Sequence, residues 1–186
     1  MSARIPRIIE IWSPKWCRPF CLARRCDFIH GIKVRGNTEF LLRTREALTL
    51  LQALAQFEVI QSHLGLIRQG TRSGMKAWAE KPTFVVGKAT WRHSPLWYAG
   101  AIAHDAYHAK LYLDAKGDHD GTEPDADAWT GAEAEKKCLA FQQQVLLALN
   151  ADQPVIDYLR NCALNPTYQG RNQGWRSWLD YLKRWW

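Results

Sequence analysis

Ser94-Pro95-Leu96-Trp97-Tyr98-Ala99-Gly100-Ala101-Ile102-Ala103-His104-Asp105-Ala106-Tyr107-His108 is the stretch that decides how this chain is read. Ser94-Pro95 is a helix start: serine caps, and proline sits in the first turn, where its missing N–H costs nothing. The expected helix runs on to Leu113. His104 and His108 stand one turn apart on it, so both imidazoles leave one face and can reach one metal ion. With His104 at the origin, His108 falls at about 40°, Trp97 at about 20° and Leu111 at about −20°. Both histidines therefore share the apolar stripe that faces inward, and Asp105 falls at its edge near Tyr112. An inward polar group without a partner costs ~1–3 kcal/mol. A metal satisfies two imidazoles at once. Two core histidines hydrogen-bonded to backbone or carboxylates are the competing explanation, and the acid between the pair favours the metal.

A third donor follows from the same arithmetic on a helix expected over 131–149. Cys138, Leu139, Phe141, Val145, Leu146 and Leu149 define its apolar arc, and Glu135 falls inside that arc. Glu133 falls nearly opposite, with Lys137, Ala140 and Gln144. Glu135 is thus expected to point to the core and Glu133 to solvent. Gln142 also lies inward, where it can hold a ligand in place from behind.

His104-Asp-x-x-His108 with the downstream Glu135 resembles the gluzincin type of zinc metallopeptidase, with Asp105 where a glutamate usually stands. The longer string Trp97 to His108, with Ala134-Glu135-Lys136-Lys137-Cys138 and Gln142, resembles small bacterial proteins of this type. The resemblance spans roughly residues 73–145. It implies a zincin-like α+β fold with a strand-rich edge packed on two metal-bearing helices. It also implies Zn2+ held by His104, His108 and Glu135, a water in the fourth position, and Asp105 as the base that takes a proton from that water. An extended peptide substrate would lie along an edge strand in the 72–91 region. Aspartate is about 1.3 Å shorter than glutamate, so the base role requires the helix to sit closer to the reacting water.

The implied function is therefore zinc-dependent hydrolysis of a peptide bond. The alternative is a non-enzymatic, metal-stabilised binding module for a protein, cell-wall or nucleic-acid partner. A fourth ligand from His93, His119 or a cysteine would favour the module; an open position beside a groove would favour the hydrolase. Tyr158, Tyr168 and Arg171 are all candidates for stabilising the oxyanion.

Around this centre we expect a small antiparallel sheet against several helices. Phe28–Val34 and Thr38–Arg43 read as strands joined by a Gly36-Asn37 turn. Thr44 reads as the N-cap of a helix through Leu48, Leu51 and Leu54, and Phe57 to Ile67 continues at helical spacing. Arg72–Trp78 and Thr83–Val86 read as short strands. Residues 114–130 form an acidic loop; Lys116 at the first ligand position excludes an EF-hand. A short helix is expected from Pro154 to Cys162, and an amphipathic one over Trp175–Trp186.

With 186 residues and 47 per cent hydrophobic content, the chain has ample means for a core. A basic, Cys- and Trp-containing segment is expected over 1–27 and a single domain over 28–186. The net charge of +7 permits weak attraction to nucleic acid or an anionic surface. No stretch reaches the ~20 apolar residues of a membrane span, and no apolar h-region marks a signal peptide, so a cytoplasmic protein is the default expectation. Of the five cysteines, Cys17, Cys21 and Cys26 fit no common zinc spacing. Cys138 and Cys162 fall at similar levels on neighbouring antiparallel helices, which makes a disulfide between them possible.

Overall fold

A computed structural model describes residues 25–118 and 122–164. It opens on a hairpin. Strand β1 (Arg25–Ile29) pairs antiparallel with β2 (Ile32–Gly36). The turn between them is His30-Gly31, with φ of 48° and 83°. Two consecutive positive φ values match the twist of the flanking strands, and glycine adopts the second without strain. The turn is therefore not at Gly36-Asn37. Asn37 instead caps a helix, its Oδ1 accepting from Phe40 N at 2.8 Å.

Helix α1 (Thr38–Gln52) accordingly replaces the strand expected over Thr38–Arg43. Phe40, Thr44, Ala47, Leu48 and Leu51 form its buried stripe. Thr44 lies within the helix, not at its cap. The run Phe40-Leu41-Leu42 suits strand or helix by itself; the asparagine cap before it decides. Strand β1 also takes in Arg25–Asp27, residues on the far side of the boundary expected at 28.

Helix α2 (Phe57–His63) ends before Gly65, and Leu66–Gln69, expected in part as helix, forms β3. Strands β4 (Gly74–Lys76) and β5 (Thr83–Val86) follow. The sheet order is β1-β2-β3-β5-β4. The two outer pairs are antiparallel, but β2–β3 and β3–β5 are parallel. The sheet is thus mixed rather than antiparallel. For β2–β3 the reason is the crossover: α1 and α2 carry the chain back before β3 begins, which is how parallel neighbours are joined. The fold class is α+β.

Ile32, Val34, Ile67, Phe84 and Val86 form the buried side of the sheet, in one core with Phe40, Leu48, Tyr98, Ile102 and Ala106 of the helices. Strand β4 is an edge strand, antiparallel to β5.

The remaining elements are α3 (Lys88–Trp91), α4 (Pro95–Asp118), α5 (Ala126–Thr130), α6 (Ala132–Ala148) and α7 (Gln153–Leu164). Ser94 caps α4 as expected, its Oγ accepting from Trp97 N at 3.1 Å. This helix is central: it packs against α1, α2, α3, α5, α6 and the β4–β5 edge. Its buried positions, from Trp97, Tyr98 and Ala99 through Ile102, Ala103, Ala106, His108, Ala109 and Tyr112, run nearly all round. One inward stripe is therefore too narrow a description. Alanines at many of these positions let neighbours approach from several sides, and a Cβ on Gly100 would stand only 3.0 Å from a Leu146 methyl of α6. α4 continues to Asp118, so much of the acidic stretch expected as loop is helix. No helix among the described residues is long and apolar enough to cross a membrane.

One buried polar pair fixes α1 on α4. Tyr98, fully buried, meets Thr44 Oγ1 at 2.9 Å, and Thr44 Oγ1 donates to Phe40 O at 2.7 Å. The threonine proton is therefore used on the carbonyl, and the phenol donates to threonine. Tyr98→Phe leaves Thr44 with a partner and should cost about 1 kcal/mol. Thr44→Val strands the buried phenol and should cost more, about 1–3 kcal/mol. Urea denaturation of both variants checks the order; an equal or reversed order would mean the pair is not bonded this way.

Candidate metal centre

The site is assembled by the two helices that pack most extensively on each other, α4 and α6. His104 and His108 come from the middle of α4, and Glu135 from the first turn of α6. The imidazole Nε2 atoms are 3.1 Å apart. Glu135 straddles them, Oε1 at 3.5 Å from His104 Nε2 and Oε2 at 3.2 Å from His108 Nε2. One donor atom from each residue lies within 4.8 Å of the others, and this is the group of three such residues among those described with metal-holding geometry. All three side chains are largely shielded, between 11% and 17% exposed. Glu133 projects outward, 78% exposed and paired with Lys136.

These separations can be tested against a metal. Bonds of ~2.0–2.1 Å space tetrahedral ligand atoms about 3.3 Å apart. The observed 3.1, 3.2 and 3.5 Å bracket that edge. The donor set, two imidazoles and a carboxylate, suits zinc and related divalent ions. His108 is also held in the required tautomer: its Nδ1 donates to Trp129 O at 2.6 Å, so Nε2 is the atom presented to the cluster. His104 differs, since its Nδ1 is buried without a hydrogen-bond partner.

The local electrostatics follow from burial and crowding. Burial alone would raise the Glu135 carboxyl, but hydrogen bonds and charge from both histidines hold it well below the usual carboxylate range. Burial disfavours charge on His108, yet hydrogen bonds with Cys138 and Glu135 push it up to about 11. Asp105 is pushed up to about 6, chiefly by burial, against the pull of His104 and His108.

Asp105 and His104 line a cavity of about 150 Å³. Its other walls include Ser73 and Phe84 near the β4–β5 edge, Gln142 of α6, and Tyr158 and Cys162 of α7. The cavity thus runs from the sheet edge to the histidine cluster. Gln142 is buried but borders this cavity; the hydrogen bonds of His104, His108 and Glu135 go elsewhere. The group that supports His108 from behind is the Trp129 carbonyl; the Cys138 thiol is also close enough to raise its pKa. A main-chain carbonyl leaves no mark in sequence. Cys138 was legible only as one more apolar-arc residue.

Tyr158, one of three candidates for the oxyanion, is on the cavity wall; Tyr168 and Arg171 lie outside the described residues, as do His119, Cys17, Cys21 and Trp175–Trp186. His93 is away from the cluster, its ring tilted against Trp97 and its Nδ1 accepting from Ser94 N. The Cys138–Cys162 disulfide is not formed: both side chains are thiols. Leu139 and Leu146 present the face of α6 that packs on α7, with Val155, Ile156 and Leu159, while Cys138 turns to His108 on α4.

Residues 25–164 hold equal numbers of Lys/Arg and Asp/Glu. The net positive charge therefore resides in the two ends of the chain, outside the described residues. Searches of family models, curated proteins and solved structures returned no match to this chain.

Proposed function

We propose that the chain is a metal-dependent hydrolase, a zincin-like metallopeptidase, with Zn2+ held by His104, His108 and Glu135. One observation carries this reading: three donors at tetrahedral spacing beside a cavity that an acid, Asp105, also lines. Zinc in such a site lowers the pKa of a bound water toward about 7 and polarises a carbonyl.

The chain's own residues supply the rest. Glu135 and the histidines would hold the ion between α4 and α6. Asp105 lines the cavity beside His104, where a carboxylate could accept a proton from water and return it to a leaving amine. Tyr158 lines the same cavity, and a phenol there is the kind of donor that stabilises an oxyanion. The strand β4 supports a peptide substrate in particular, because among the described residues it is the sheet edge, where an extended chain could pair with its backbone. Ser73 and Phe84 connect that edge to the cavity.

The test is direct. The untreated protein should carry about one zinc per chain, and the loaded protein should cleave members of a broad peptide library. A chelator should abolish cleavage and restored zinc should recover it. Stable one-to-one loading with no cleavage would favour the second reading, a binding module whose metal ties α4 to α6. That reading draws on the same geometry, since the three donors join those two helices.

A further inference from the structure

We infer that Trp129 is a positioning residue for His108, held by an aromatic clasp of Trp78 and Tyr112. The inference rests on the metal-site reading above and adds a part that no donor residue reveals. Trp129 lies in α5, a helix of five residues with no buried residue. A helix that short has no stability of its own. Yet its Trp129 carbonyl makes a 2.6 Å hydrogen bond to His108 Nδ1. Something must hold that carbonyl in place.

The indole is the means. Its ring meets Trp78 edge-on at 5.7 Å and Tyr112 edge-on at 5.4 Å. Such aromatic pairs add ~0.5–1.5 kcal/mol beyond area burial. Tyr112 is a rigid wall: its ring is buried on α4, and its hydroxyl donates to the Glu123 carboxylate at 2.8 Å. Trp78 is the outer wall, 56% exposed, in the segment between β4 and β5. Among the described residues α5 also packs on α4 and α6, and its own hydrogen bonds include the Asp125 cap on Asp127 N and the Gly131 N bond to Asp127 O. The clasp therefore connects α5 to the sheet edge and to α4, and the result is delivered to one ring nitrogen. With Nδ1 fixed as donor, Nε2 is left to ligate.

Trp129→Ala should weaken zinc binding about 10–100-fold, the usual effect of losing a ligand's supporting partner. Trp129→Phe, which keeps a ring in the clasp, should recover most of the affinity. Trp78→Ala should weaken binding in the same direction by a smaller factor. Affinity is read by competition with a chromogenic chelator, and unfolding of the metal-free proteins is followed in parallel. A second readout does not depend on metal: the His108 Nδ1–H proton should give a slowly exchanging NMR signal in the metal-free wild type and lose it in Trp129→Ala.

Wild-type zinc affinity together with a retained His108 Nδ1–H signal in Trp129→Ala would overturn the inference. Should Trp129→Ala not fold, the exposed Trp78→Ala decides by the same two measurements, no change in either being the overturning result. If the wild type binds no zinc, the metal-site reading fails by itself, and the NMR signal alone then upholds or removes the clasp.

Discussion

Replacing either histidine should strip the chain of its metal. We expect about one zinc per chain in the wild type, and loss of that zinc in His104→Ala and His108→Ala. Three protein ligands are what open zinc sites use. Two leave the ion mostly to water, so the loss should exceed the ~10–100-fold typical of an outer partner. Stability should follow. An ion present at a thousand times its Kd adds about 4 kcal/mol to the folded state. For a chain of this size that corresponds to a rise of roughly 10 °C in Tm. The rise should vanish in both variants and in Glu135→Ala, and persist in Glu133→Ala, whose carboxylate is 78% exposed and paired with Lys136. Elemental analysis with calorimetry checks all four proteins. Full zinc in a His104→Ala/His108→Ala double variant would remove this site altogether.

That choice between two glutamates shows what the sequence contained. Both lie in the first turn of α6, two residues apart, and composition cannot separate them. Helical phase can, because the seven buried residues of α6 define its inner side. Helix α4 was legible from its Ser94-Pro95 start, and α6 from its long periodic pattern. Strand β5 was legible as a compact β-rich run over Thr83–Val86. The errors lie where the deciding contact is distant in sequence. Nothing within Leu66–Gln69 says that its neighbours are β2 and β5, or that both run parallel to it. Thr38–Arg43 reads as strand until the Asn37 cap is given its weight. Thr44 looks like a cap because its hydroxyl is polar. In the structure that hydroxyl is spent on Phe40 O and Tyr98.

Similar axial levels do not bring Cys138 and Cys162 together, because the face on which each lies also decides. A residue one position from Leu139 is rotated by about 100°, enough to turn Cys138 from α7 toward His108. The Trp129 carbonyl was beyond sequence reasoning entirely, since every residue carries such a group. Only the packing of its indole marks it out.

Asp105→Asn should separate metal binding from chemistry. The side chains of His104, His108 and Glu135 are untouched, so zinc should stay at wild-type stoichiometry. The amide has nearly the size of the carboxyl it replaces, so the cavity keeps its shape. It cannot accept a proton, however, and loss of a general base costs about 10²–10⁴-fold in rate. Hydrolysis should fall by that factor with metal content unchanged. Asp105→Glu probes the other peculiarity of the proposed site, an acid shorter by one methylene than glutamate. Extending the side chain by about 1.3 Å moves its oxygens outward into a cavity of about 150 Å³ that Asp105 already lines. We therefore expect zinc retention and faster hydrolysis. Slower hydrolysis would mean that the backbone of α4 already places the aspartate at its working distance. Undiminished hydrolysis in Asp105→Asn would take Asp105 out of the mechanism while leaving the metal centre standing, because the two variants and the histidine variants read different atoms of one site.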